Sequence, residues 1–146
     1  MRQFFNRTKG NNKYGAEKVE YDGITFDSKV EGERYLYLKT LLLAGEISDL
    51  ETHKTYELVP KQTTKEIVHL KTKDKEVERT LFHPVVFTPD FVYTTKDGEL
   101  VCEDVKGSTM LVSADFPLRR KLLYYRYGIY CRLVTYTKKR GWEIHK

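Results

Sequence analysis

Cysteine is scarce in this chain: 146 residues hold two, Cys102 and Cys131. Both lie in apolar runs of β type, and neither belongs to a CxxC or Cys/His ligand spacing. That excludes a zinc finger or a disulfide-stapled scaffold and predicts two buried free thiols in a reducing compartment. Long hydrophobic runs are also missing. The longest aliphatic stretch is Leu41-Leu42-Leu43-Ala44, whereas a membrane helix needs about 20 apolar residues. The basic start MRQFFNRTKG has no apolar segment of the kind a secretory signal carries. A soluble, cytoplasmic protein with no membrane partner is expected. Acids are the minority charge: 21 Asp and Glu against 26 Lys and Arg give a net charge of +5. That excess points, modestly, to a polyanionic partner such as DNA. The length suits one domain, which at this size buries roughly 68–70% of its unfolded surface without disulfides.

Residues 1–19 carry Arg2, Arg7, Lys9, Lys13 and Lys18 with Glu17 as the only acid, and show no period of 2 or 3.6. They read as a basic, flexible arm, able to lie along phosphates or simply frayed. Residues 20–146 read as the single domain. Tyr21 to Phe26 is a lead-in strand or turn around Asp22-Gly23. Ser28-Lys29-Val30-Glu31 is a capping-box pattern, predicting a helix from Lys29 to Ala44 that stops at Gly45. Its stripe of Glu31, Tyr35, Leu38 and Leu42 should face a sheet, with Glu33 and Arg34 solvated. Ile47 to Val59 alternates as a strand closed by Pro60. Its lone His53 reads as a surface or satisfied core residue. Lys61 to Thr80 mixes both charges and predicts an exposed hairpin turning near Lys73-Asp74, either a solvated excursion or a flap against DNA.

Leu81 to Tyr93 holds a central strand, with pairing expected from Val85 because His83-Pro84 interrupts its start. Two β-type runs, Phe87 to Thr94 and Glu99 to Lys106, flank the turn Lys96-Asp97-Gly98, a strong hairpin signal. Strand parity sends Asp104 and Lys106 to one face and Glu103 to the other. Charges set among Val101, Cys102 and Val105 are costly to desolvate, several kcal/mol per unpaired ion in order of magnitude. Asp90, on the neighbouring strand, can bring a second carboxylate to the same place. Two acidic oxygen donors beside a lysine suit a hard cation; a plain Asp104–Lys106 salt bridge is the competing explanation. Asp115 to Tyr127 is a second helix, with Pro117 in its first turn and Gly128 at its end. Leu118, Leu122 and Tyr125 form its apolar stripe. Arg119, Arg120, Lys121 and Arg126 crowd the rest, as a phosphate-binding face or a solvated one. Ile129 to Tyr136 is a buried strand and KKRGWEIHK a basic tail. The order β-α-β-β-β-α-β is α/β, a central mixed sheet flanked by helices with one charged β-excursion.

Pro89-Asp90 followed by Asp104-Val105-Lys106 resembles the PD-(D/E)xK signature of the restriction-endonuclease-like nucleases. The stretch Phe26 to Leu50 is similar to the first helix and strand of a small phage and prophage branch, with Glu31 at the position of a helix glutamate that completes the acidic cluster. The resemblance covers roughly residues 20–136. It implies a restriction-endonuclease-like core and a Mg²⁺-dependent DNA endonuclease, with Mn²⁺ as a substitute. Asp90 and Asp104 would be the direct ligands, joined by the Val105 carbonyl, with Glu31 at a second ion or a bound water. Lys106 would orient and help deprotonate the attacking water, or stabilise the phosphate. Phage replication, recombination or processing of branched DNA is the implied setting, in a host cytoplasm, and a homodimer stays open. The alternatives are a DNA-binding module without catalysis and a metal-independent ribonuclease using His53 or His83.

Overall fold

A computed structural model of the chain describes residues 16–146, so most of the predicted arm lies outside the described residues. Strand β1 (Val19–Tyr21) begins at the last residue of that predicted arm and pairs antiparallel with β2 (Ile24–Phe26). Between them Asp22 and Gly23 have φ of 52° and 77°, the left-handed pair that a two-residue hairpin turn demands. Helix α1 (Lys29–Leu43) follows, its N-terminus capped by the Ser28 side chain, which accepts the Glu31 N–H. Gly32 sits under β1: a Cβ there would come within 2.5 Å of the Val19 Cγ2 and 2.7 Å of the Tyr21 ring. Only glycine lets the hairpin lie this close to the helix.

The single strand expected from Ile47 to Val59 is two strands, β3 (Ile47–Thr52) and β4 (Tyr56–Val59). The chain bends at His53, whose φ of 52° is left-handed, and β4 leaves the main sheet to pair with β7 (Val85–Phe87). Between them β5 (Gln62–His69) and β6 (Asp74–Phe82) form the charged, largely exposed hairpin predicted for this region. Strands β8 (Phe91–Thr95) and β9 (Leu100–Lys106) make the Asp-Gly hairpin. Helix α2 (Phe116–Tyr127) then crosses to β10 (Cys131–Thr137). The C-terminal segment is no tail: β11 (Gly141–His145) pairs with β10. The central sheet runs β11-β10-β9-β8-β3, antiparallel except for β9 beside β10. The fold is α/β, a five-stranded mixed sheet with a helix on each face.

Alternation along the strands sorts the core into two layers. Phe91, Tyr93, Val101, Val105 and Val134 pack with Phe26, Tyr35 and Leu38 on the α1 side. Val92, Cys102, Cys131 and Leu133 pack with Phe116 and Leu123 on the α2 side. Each fully buried large apolar side chain contributes about 1.5–3 kcal/mol. The thiols Cys102 and Cys131 are free, buried and opposite one another across β9 and β10. A hydrogen bond to Cys102, together with burial, pushes the Cys131 thiol up and keeps it inert.

Three side-chain expectations fail. Leu42, expected on the sheet-facing stripe of α1, is 38% exposed. The buried stripe of α2 is Phe116 and Leu123, whereas Leu118 and Tyr125 are 60% and 89% exposed. The edge-on contact of Phe116 with Phe87 sets the helix phase. Arg34, expected in solvent, is buried. Its Nε and Nη2 donate to the two Glu103 carboxylate oxygens at 2.9 and 2.7 Å. Tyr93 Oη and the Arg132 guanidinium donate to the same carboxylate, and Arg34 lies 5.0 Å from the Tyr37 and Trp142 ring centres. Burial pushes Glu103 up, but the two arginines and Tyr93 outweigh it and hold it below the usual range. Glu103 thus projects to the face opposite Asp104, as parity required, and ties α1 to the sheet. No helix among the described residues is long and apolar enough to cross a membrane.

Candidate metal centre

The β8–β9 register pairs Phe91 with Glu103, so Asp90, one residue earlier, arrives beside Asp104. Asp90 Oδ2 accepts the Val105 N–H at 2.7 Å. Lys106 Nζ lies 2.8 Å from Asp104 Oδ2 and donates to the Val105 carbonyl at 3.3 Å. The buried Asp104 Oδ2 thus has the Lys106 ammonium as its partner.

Glu31 approaches Asp90 from α1; among the described residues the tight group of potential ligand atoms holds Glu31 and Asp90 but not Asp104. Glu31 Oε1 accepts from the Ser28 hydroxyl at 3.1 Å and its Oε2 from the Asp27 N–H at 3.2 Å. The Ser28 half of the predicted capping box is present, but the Glu31 side chain takes the Asp27 N–H and the Ser28 hydroxyl in place of the Ser28 N–H, and it stands beside Asp90. His53 stands there too: ligand atoms of Glu31, His53 and Asp90 all lie within 4.8 Å of one another. The His53 N–H donates to the Asp90 carbonyl at 3.1 Å, fixing the bend after β3 to the mouth of β8.

The electrostatics show four groups sensing each other. Burial, then the Asp104 and Glu31 carboxylates, push Asp90 well above the usual carboxylate range, against the pull of Lys106 and the Val105 amide. Burial also raises Glu31, outweighing the Asp27 amide, Ser28 and Lys106. For Lys106 burial disfavours the ammonium, but Asp104, Asp90 and Glu31 prevail and the net shift is upward. One amine faces three carboxyl groups, which leaves unbalanced negative charge in a buried corner.

A family profile described as "Protein of unknown function (DUF1064)" matches residues 11–140. The chain belongs to the DUF1064 family. Comparisons with curated proteins and with solved structures gave no match. In this DUF1064 chain the matched span takes in every residue of the cluster.

The donor set of the DUF1064 chain fits a divalent cation. Asp90 and Glu31 supply two carboxylates within one group of potential ligand atoms, Asp104 adds a third beside Asp90 that Lys106 pairs, and three acids against one ammonium leave negative charge that a cation would neutralise. The Val105 carbonyl, anticipated as a ligand, already accepts from Lys106. A cleft of about 260 Å³ opens beside the site, lined by Thr88, Asp104, Lys106, Ser113 and Arg119 among others.

The basic face of α2 is divided in its work. Arg119 donates to the Val86 carbonyl and pairs with Asp115. Arg120 stacks on the Phe116 and Tyr130 rings. Arg126 donates to the Leu58 carbonyl and reaches Glu57. Lys121 is exposed. His53 was the residue that periodicity passed over; its one sequence signal is a histidine, tolerant of left-handed φ, between two short β runs.

Proposed function

We propose that this chain is a metal-dependent DNA endonuclease with a restriction-endonuclease-like core, its PD-(D/E)xK site formed by Asp90, Asp104 and Lys106 with Glu31 from α1. The observation that carries the proposal is three carboxyl groups, Asp90, Asp104 and Glu31, gathered around the single ammonium of Lys106 at one strand end. A salt bridge kept only for stability needs one acid per base and gains nothing from three. Asp90, Asp104 and Glu31 would hold the ion, Mg²⁺ or Mn²⁺. When bound, such an ion neutralises charge on a phosphate oxygen and lowers the pKa of water.

The chain's own groups then have separable tasks. The Val105 amide and the α1 cap fix the Asp90 and Glu31 carboxylates before any ligand arrives, so little reorganisation is needed. Lys106, paired with Asp104 and facing Asp90 and Glu31, would orient and help deprotonate the attacking water or donate to the negative charge that builds on the phosphate. The adjacent cleft, with Thr88, Ser113 and Arg119 on its walls, admits the sugar–phosphate backbone. Processing of phage DNA, with branched DNA as a candidate substrate, is the setting this site suits.

The test is incubation of pure protein with plasmid and four-way-junction DNA in Mg²⁺, Mn²⁺ or EDTA. Cleavage that requires the ion and disappears in Asp104→Asn and Lys106→Ala supports the proposal. DNA that is shifted in a gel but left whole under every condition identifies a binding module. Chelator-resistant cutting of RNA overturns the metal reading altogether.

A further inference from the structure

We propose that His53 is a nitrogen ligand of the same cation and biases the site toward Mn²⁺ over Mg²⁺; the inference rests on the metal reading above. The imidazole is half-buried, and among the described residues its ring nitrogens make no hydrogen bond or ion pair. Its one ring contact is with Phe26, at 5.7 Å between centroids. A ligand nitrogen nevertheless lies within 4.8 Å of carboxylate oxygens of both Glu31 and Asp90. That separation, without a hydrogen bond, leaves room for an ion between the groups.

The backbone is arranged to hold the ring there. His53 adopts a left-handed φ of 52°, a conformation that costs a non-glycine residue of order 1 kcal/mol. Its N–H is bonded to the Asp90 carbonyl at 3.1 Å, so the histidine and the aspartate are positioned as one unit. Phe26, wholly buried, supports the ring from the core side. A histidine serving only to pack on Phe26 would need neither the bend nor the orientation toward two acids.

Chemistry then sets the preference. Mg²⁺ favours an all-oxygen shell and keeps its waters. An imidazole nitrogen among carboxylates suits later divalent ions better. Of these, Mn²⁺ also accepts the hard carboxylate donors that make up the rest of the set.

The experiment is Mn²⁺ binding to the full chain, followed by electron paramagnetic resonance with spin-echo modulation. Wild type should bind Mn²⁺ with ¹⁴N modulation from a coordinated imidazole, changing to the ¹⁵N pattern when histidine is ¹⁵N-labelled. His53→Asn, chosen because asparagine tolerates the left-handed backbone, should bind the ion without nitrogen modulation. Its Mn²⁺-to-Mg²⁺ affinity ratio should fall about tenfold. Bound Mn²⁺ with no nitrogen coupling in wild type overturns the role of His53 and leaves the nuclease proposal standing, as does coupling that survives in His53→Asn. Absence of Mn²⁺ binding to wild type overturns both.

Discussion

Asp90 Oδ2 and the Val105 N–H are joined by a 2.7 Å hydrogen bond. The carboxylate that opens β8 is thereby clamped to the backbone of the strand end carrying Asp104 and Lys106. The clamp satisfies one oxygen of Asp90 but leaves its charge facing Asp104 and Glu31.

Neutralising Asp90 without losing the clamp should therefore stabilise the ion-free protein. Asp90→Asn keeps an acceptor for the Val105 amide and removes a charge that burial and its neighbours oppose. Thermal melts in EDTA should show a higher Tm for the variant, by about 2–4 °C for each kcal/mol relieved in a domain of this size. Its response to Mn²⁺ should be weaker than that of wild type.

The pH dependence follows from the same groups. Asp90 and Glu31 have folded pKa values raised above their unfolded ones, so they destabilise the ion-free fold above the folded pKa, and that penalty fades as pH falls. The ion needs them deprotonated. The gain in stability from Mn²⁺, about 2.7 kcal/mol at a hundredfold excess over Kd, should be largest at neutral pH and shrink on acidification. Melts with and without Mn²⁺ across pH 5 to 8 check this; a gain that grows as pH falls contradicts it.

Glu103 behaves in the opposite sense. Its folded pKa is depressed, so its contribution is present above the unfolded glutamate value and lost as pH falls through the folded one. Glu103→Ala strips the partner from Arg34, which is buried, and from Arg132, and should cost about 3–5 kcal/mol. Urea denaturation at pH 7 measures it.

How far the sequence disclosed this architecture depended on whether the signal was local. The β8–β9 hairpin was legible because Asp97-Gly98 lies between two β-type runs, and α1 because Ser28, Glu31 and Gly45 mark its ends. The shared face of Asp104 and Lys106 followed from strand parity and the approach of Asp90 from the hairpin, while grouping them as one site rested on the resemblance to the nuclease signature. Arg34 was misplaced because its partner, Glu103, lies 69 residues away, and no helical period reports such a pairing. His53 was passed over because its role comes from a backbone bend that splits one apparent strand in two. The phase of α2 was misjudged because Leu118 and Phe116 compete in sequence, and only the ring of Phe87 decides between them.

That division of α2 separates packing from the proposed DNA contact. Arg126→Ala removes donors to Leu58 and Glu57 and should lower stability by about 1 kcal/mol. Lys121→Ala should leave Tm unchanged and weaken DNA binding uniformly across sequences, reducing the salt slope by about 1. Melts and salt-dependent filter binding on the two variants distinguish them.

The most direct test of the central claim is anomalous diffraction from a crystal soaked in Mn²⁺. A strong manganese peak enclosed by Asp90, Asp104 and Glu31, with Lys106 Nζ nearby, is the predicted result. Well-ordered carboxylates with no manganese between them would contradict the account.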